Sequence, residues 1–285
     1  MRILITNDDS HRSPLLQLAV DFFSRLGEVH LVVPLHEQSW TSKSMSRFEA
    51  LHVQKGVICG KNAFSVSGSP ADCVNLAIHN LLPAKPDLVV SGINAGFNMG
   101  IGFIWSSGTV GACLEANIAG VPGIALSQAF DTETRNQYSS DYMIPQPTLD
   151  NFASATGKIL QLFVEEALCE ENKALFLATP VTWNINFPFA LEGEMKLYHT
   201  PISETRYGQC FQEASNLSGS PVSVYQRSGL CEVTDLSRNC DSTLVRQGKA
   251  TLSLLDMWAI SHSPKAISVK TILESFDSEE NTGGK

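Results

Sequence analysis

Short apolar runs alternate with amphipathic stretches through the first 128 residues, and no other feature constrains the fold of this chain as much. An apolar run of four to eight residues bounded by turn residues suits a strand buried on both faces. Arg2 to Thr6, Val29 to Val33, Phe64 to Val66, Asp87 to Ser91 and Gly123 to Ser127 are read as strands on this basis. Between them, Ser13-Pro14 and Ser69-Pro70 each set an N-cap before a proline at the first helical position. Leu15, Ala19, Phe22, Phe23 and Leu26 then recur at helical spacing, with Gly27 placed for a left-handed cap. Val74, Ala77, Ile78 and Leu81 make a second stripe, and Thr109 to Ala119 a further helix closed by Gly120 and Pro122. Strands alternating with helices predict a doubly wound α/β fold around a mostly parallel sheet.

The rhythm weakens downstream. Asp131 to Gln146 reads as a polar loop, Thr148 to Leu168 as a long helix, and Ala174 to Thr179 and Trp183 to Asn186 as strands. Pro201 to Asp241 has no clear period and reads as hairpins. Its Phe211, Leu217, Val222, Val224, Tyr225 and Leu230 are too apolar for a solvated segment, so it is expected to bury surface in an oligomer. Residues 1–262 are expected to form one domain whose first 128 residues carry the site. Residues 263–285 are expected to be a C-terminal segment ending in a frayed polar tail.

Composition narrows the functional classes. With 29 Asp and Glu against 20 Lys and Arg the net charge is −9, which repels a phosphate backbone and argues against duplex nucleic acid. No apolar stretch reaches 18 residues, so no membrane span is expected, and MRILITNDDS lacks the pattern of a signal peptide. The seven cysteines are scattered without a C-x-x-C pair and read as buried free thiols, which agrees with a cytoplasmic protein.

In open parallel sheets, ligands bind beyond the carboxyl ends of the strands. Three loops there carry chemistry: Asn7-Asp8-Asp9-Ser10, the loop holding Ser39, and Ser91 to Gly100 (SGINAGFNMG). Two adjacent carboxylates call for a shared proton or a cation. Ser39 and Asn94 add neutral oxygens, and a set without thiolate or imidazole favours Mg²⁺, Mn²⁺ or Ca²⁺ over zinc. The plainer alternatives are that the aspartates cap the next helix and that Ser39 is a solvated loop serine. Ser107, Gly108 and Thr109 offer hydroxyls and N–H groups at a helix N-terminus, an anion site. Gly92, Gly96, Gly100 and Gly102 allow close backbone approach, although such turns also occur without a ligand. The P-loop, the G-x-S-x-G elbow and H-E-x-x-H are absent from the sequence. An aspartyl-phosphate phosphatase would require D-x-D-x-[TV] in place of the adjacent pair.

Four motifs occur in order: MRILITNDD, GSPADCV at Gly68 to Val74, VSGINAGFNMG at Val90 to Gly100 and SSGTVGACLEANIAGVPGIALS at Ser106 to Ser127. Together they resemble the SurE family of survival proteins, metal-dependent 5′/3′-nucleotidases with a Rossmann-like fold. The likeness thins afterward to WNINFP at Trp183, TRYG at Thr205 and the segment from Asp241 to Gly248 leading into Thr251.

That resemblance implies that Asp8, Asp9, Ser39 and Asn94 hold one divalent metal, Mg²⁺ or Mn²⁺, and that Asn98, Ser107, Gly108 and Thr109 bind phosphate. Asp8, Asp9 and Asn98 then carry the catalysis, with one aspartate orienting or deprotonating the attacking water. The implied activity is hydrolysis of nucleoside monophosphates by a 5′-nucleotidase, acid-phosphatase-like enzyme, assembled as a homodimer or homotetramer. Two family glycines are replaced, by Ser10 after the aspartates and by Trp40 after the metal-binding serine, and Gly100 to Ser107 is one residue longer. These departures bear on turnover and nucleotide preference, and they motivate an alternative: a nucleotide-sensing protein with little turnover.

Overall fold

A computed structural model describes residues 1–214, 223–229, 232–235, 237 and 239–277. The chain runs through β1 (Arg2–Thr6), α1 (Pro14–Phe23), β2 (Glu28–Pro34), β3 (Val53–Ile58), β4 (Lys61–Val66), α2 (Pro70–Leu76), β5 (Leu88–Ala95), α3 (Ile101–Ser106), α4 (Gly108–Ile118) and β6 (Gly123–Gln128). There follow α5 (Thr132–Asp141), α6 (Gln146–Ala167), α7 (Lys173–Ala178), β7 (Thr182–Phe187), β8 (Leu197–His199), β9 (Arg206–Tyr207), β10 (Phe211–Glu213), β11 (Tyr225–Arg227), β12 (Glu232–Val233), α8 (Asp241–Arg246), β13 (Ala250–Leu255) and α9 (Lys270–Glu274).

Nine strands form one sheet in the order β3-β4-β2-β1-β5-β6-β7-β13-β8. The pairings from β4 through β7 are parallel, while β3 pairs antiparallel with β4 and β13 with β7. The expected doubly wound α/β fold is therefore present, with antiparallel additions at its flanks. Side chains alternate across it. Ile3 and Ile5 join Val90 and the buried faces of α1 and α6 in one core cluster, whereas Leu4 and Val89 join Val74, Ala112 and Ala116 in another. Val269, Ile272, Leu273 and Phe276 of the C-terminal segment lie in the first cluster. The expected frayed tail, residues 278–285, falls outside the described residues.

Some local readings are corrected. Helix α1 ends on Ser24 in right-handed geometry, so Gly27 is not its left-handed cap; a Cβ at Gly27 would run into the Met1 carbonyl. Residues 131–146, read as a loop, contain α5, whose N-cap Asp131 accepts the Thr134 N–H at 2.8 Å. That helix buries only Thr134 and Tyr138, too little for an apolar stripe. Ala174 to Thr179 is helical (α7), a run too short for its period to separate helix from strand. Strand β3 had no buried face to announce it, and it turns into β4 through Cys59 and Gly60, both with positive φ (50° and 70°) as a type I′ turn requires. The expected hairpins of residues 201–241 take the form of two small antiparallel ladders, β10 with β11 and β9 with β12.

The chain builds outward from β1 to β2 and β4 on one side, then returns to β5 on the other. The crevice between the ends of β1 and β5 is thus the topological switch point, where such sheets bind ligands.

Candidate active site

Asp8 and Asp9 follow β1 directly, and both are buried, each 3% exposed. Asp8 accepts from Thr109, through the hydroxyl at 2.7 Å and the backbone N–H at 3.2 Å. Asp9 accepts the Ala95 N–H at 2.8 Å, which ties it to the end of β5. Burial pushes the Asp8 carboxyl up to about 6, against the opposing Thr109 hydrogen bonds. Burial first and the Asp8 charge second hold Asp9 well above the usual carboxylate range.

Among the described residues no Lys, Arg or His forms an ion pair with either aspartate. Two buried carboxylates without a cationic side chain are costly as an ionised pair. The residues present therefore fit a divalent cation, and the donors converging here are hard oxygens. No group of three or more His, Cys, Asp or Glu side chains suited to a metal occurs among the described residues, so such a site relies on neutral oxygens to complete it.

Those oxygens line a pocket of about 290 Å³: Asp8, Ser39, Asn94, Asn98 and Ser107 all face it. Asp9 is bonded to Ala95, the residue after Asn94, and Gly108 and Thr109, which follow Ser107, are buried. The Ser39 loop is fastened to the first loop by the Gln38 N–H on the Asp8 carbonyl (2.7 Å), and to α3 by the Ser42 N–H on the Ser106 carbonyl (3.0 Å). Ser39 Oγ donates to Glu37 Oε1 at 2.6 Å, and the Tyr142 hydroxyl donates to Glu37 Oε2 at 3.2 Å.

Asn98 is held on every side. Its N–H donates to Asn186 Oδ1 (2.8 Å), its Nδ2 donates to Ser127 Oγ (2.8 Å), and its carbonyl accepts from Asn184 Nδ2 (2.8 Å). Gly100 donates its N–H to buried Asp241 at 2.7 Å, and Asp241 also accepts the Ser203 N–H at 2.9 Å. Ser107 caps α4 by accepting the Val110 N–H at 3.1 Å. The anion-binding groups read from sequence are thus partly engaged within the protein: the Ser107 oxygen by the helix, and the Thr109 hydroxyl and N–H by Asp8.

Ser10 and Trp40 both adopt left-handed backbone, at φ 66° and 64°. This explains why glycine suits those positions in the resembling family, since a non-glycine residue there is strained. The Trp40 ring fills the space with contacts to Tyr207 (centroids 4.7 Å apart) and to the Arg227 guanidinium, 4.2 Å over its face.

Sequence reasoning missed several residues that line the pocket: Phe97, Phe103, Phe130, Arg135, Tyr138 and Arg227. Arg135 and Tyr138 come from α5. Their i, i+3 spacing places them on one helix face, a signal hidden by the polar residues around them.

A family model described as "Survival protein SurE" matches residues 3–209. The 5′-nucleotidase SurE of Thermofilum pendens is 31% identical over 280 residues, 97% of this chain and 99% of that one. That of Methanopyrus kandleri is 37% identical over 207 residues, 73% and 74% of the two chains. That of Geotalea daltonii is 44% identical over 136 residues, a match spanning about half of either chain (48% and 53%). Among solved structures, the SurE protein from Aquifex aeolicus superposes with a TM-score of 0.66 over 94% of this chain and 99% of that one, at 24% identity, a likeness of fold.

Proposed function

Because the chain belongs to the SurE family, we propose that it is a metal-dependent phosphomonoesterase that hydrolyses nucleoside monophosphates to nucleoside and phosphate, a 5′-nucleotidase of acid-phosphatase-like character. The observation that carries this reading is the adjacent, buried pair Asp8 and Asp9 at the sheet's switch point, with no cationic side chain paired to either among the described residues. The relatives' names favour turnover over sensing.

In this reading Asp8, Asp9, Ser39 and Asn94 hold one divalent cation, Mg²⁺ or Mn²⁺. When bound, the cation offsets the carboxylate charge, polarises a phosphoryl oxygen and acidifies the attacking water. Asp8 or Asp9 orients that water and takes its proton. Asn98, Ser107 and the Gly108 to Thr109 turn bear on the phosphate, with Asn98 stabilising charge that develops on its oxygens. Thr109 has the added task of fixing Asp8. The tight fastening of Asn98 supports its role, because a donor already held in place needs no reorganisation during the reaction.

Residues 201–241 are proposed to join copies of the chain into a homodimer or homotetramer. Phe211, Val224 and Tyr225, 60%, 49% and 62% exposed, support that reading. No helix among the described residues is long and apolar enough to cross a membrane. The six described cysteines are unpaired, which suits a reducing compartment such as the cytoplasm.

The test is phosphate release from a panel of nucleoside monophosphates. Activity should vanish with EDTA and return with Mg²⁺ or Mn²⁺; full turnover by metal-free protein would refute the assignment. Light scattering that reports a monomer at micromolar concentration would refute the assembly.

A further inference from the structure

The substrate of the proposed reaction is a dianion, and the pocket it enters already contains Asp8 with Asp9 behind it. Among the described residues lining that pocket only Arg135 and Arg227 carry positive charge. The nearby cations Arg12 and Lys43 are engaged elsewhere: Arg12 lies over the Tyr142 ring at 5.5 Å, and Lys43 pairs with Glu115 at 2.6 Å. Arg227 covers Trp40 closely. Arg135 forms no ion pair among the described residues and touches only the rim of aromatic contact distance, 5.9 Å from the Phe97 centroid. Phe97 immediately precedes Asn98, and Arg135, Phe97 and Asn98 all line the same pocket.

One turn along the same helix, Tyr138 is 8% exposed and lines the same pocket. Its ring packs on Phe130 (5.4 Å) and Tyr142 (5.3 Å). Its hydroxyl is buried beside the Asp9 carboxylate and the Ser13 hydroxyl, yet makes no hydrogen bond of normal length to either. A buried phenol with no partner costs free energy unless a ligand or water completes it. Helix α5 therefore brings to the pocket both an unpaired cation and an unsatisfied donor.

We propose that α5 supplies two substrate-binding residues: Arg135, whose guanidinium pairs with the phosphate of the nucleoside monophosphate, and Tyr138, whose hydroxyl donates to an oxygen of the same phosphate. This rests on the nucleotidase reading but assigns a separate wall of the site. A planar, permanently charged fork suits a phosphate better than an ammonium does. The wall also gives an acidic protein a charge attraction for the substrate, since Arg227, the other described cation lining the pocket, lies against Trp40.

The test titrates wild type, R135Q, R135K and Y138F, each with Mg²⁺, using a nucleoside monophosphate, the matching nucleoside, and the metal alone. R135Q should weaken nucleotide binding ~10- to 100-fold and raise KM more than it lowers kcat, R135K should recover part of the loss, and Y138F should weaken binding ~2- to 10-fold. Affinity for nucleoside and metal should stay within about twofold in all variants. Arg135 is exposed on α5, so its replacement leaves the fold intact. Nucleotide affinity unchanged in R135Q and Y138F, or equal losses for nucleotide and nucleoside, would overturn the proposal. A wild type that binds the nucleotide without releasing phosphate would refute the hydrolytic reading, while loss of that binding in R135Q would still support the α5 wall. A wild type that binds no nucleotide would overturn both.

Discussion

Thr109 grips both carboxylate oxygens of Asp8, its hydroxyl on one at 2.7 Å and its backbone N–H on the other at 3.2 Å, across 101 residues of sequence. The start of α4 therefore acts on the end of β1. A helix N-terminus usually read as an anion site for substrate here holds the protein's own carboxylate.

The first prediction follows from that grip. Thr109→Val removes the side-chain donor and should weaken metal binding as well as slow catalysis. A hydrogen bond to a charged group is worth about 1.5–3 kcal/mol, or roughly 10- to 150-fold in affinity. Thr109→Ser keeps the donor and should stay near wild type. Calorimetric metal titration of both variants decides it: unchanged affinity in Thr109→Val would show that the bond does not set the geometry of Asp8.

Protonation gives the second. Asp8 titrates at about 6 in the folded chain, above the roughly 3.9 of an unfolded aspartate. Between those values the folded state binds more protons, so stability of metal-free protein should fall as pH rises from about 4 through 6, and the raised Asp9 adds to the same fall. Metal affinity should run the other way, gaining up to about tenfold per pH unit below pH 6, because the cation competes with that proton. Melting temperatures of metal-free wild type and Asp8→Asn across this range provide the check. The variant should have a shallower slope, keeping only what the buried Asp9 contributes, and an equal slope in both would place the titration elsewhere.

A third concerns Ser10, left-handed at φ 66° and fully buried. An L-residue in this conformation is strained by about 1–2 kcal/mol, while glycine's greater freedom in the unfolded chain offsets about 0.5–1 kcal/mol. Among the described residues Ser10 Oγ accepts only a long bond from the Arg12 N–H, 3.4 Å. Ser10→Gly should therefore stabilise the protein by about 0.5–1 kcal/mol, and Ser10→Val should destabilise it by more than that. Urea denaturation separates these outcomes, and a less stable Ser10→Gly would disprove the strain.

The fourth tests how the glycine-rich loop is anchored. Asp241 is fully buried and accepts N–H groups from Gly100 (2.7 Å), Ser203 (2.9 Å) and Ser242 (2.7 Å). Asp241→Ala leaves three buried donors without an acceptor, and should cost about 3–5 kcal/mol. The melting point should drop and the surviving folded fraction should lose kcat. Retention of wild-type stability would exclude the anchor.

Much of the first 128 residues was legible because burial leaves a pattern there. The strand carrying Ile3, Leu4 and Ile5 is apolar on both faces, and Ser69 with Pro70 announces α2, where the structure adds a reciprocal cap between Ser69 and Asp72. Asp8 and Asp9 could be singled out by chemistry alone, since adjacent carboxylates at a strand end demand an explanation. Ser39 and Asn94 could not be separated from ordinary loop residues by pattern, and the resemblance assigned them. Helix α5 stayed hidden because it packs by two side chains instead of a stripe, and with it went Arg135 and Tyr138. Nor does any local signal report that Thr109 faces Asp8, because only the closed sheet brings them together.

The anchoring of Gly100 by Asp241 also bears on biosynthesis. On the ribosome the paired aspartates emerge first, followed by the loop opposite them, yet the acceptor that locks that loop arrives 141 residues after the glycine. A nascent or prematurely released chain ending before residue 241 therefore carries every proposed metal ligand without the acceptor that holds Gly100, at the end of the loop that bears Asn94. The order of the glycine-rich loop is thereby made to wait until residue 241 has been added, long after the residues of that loop themselves.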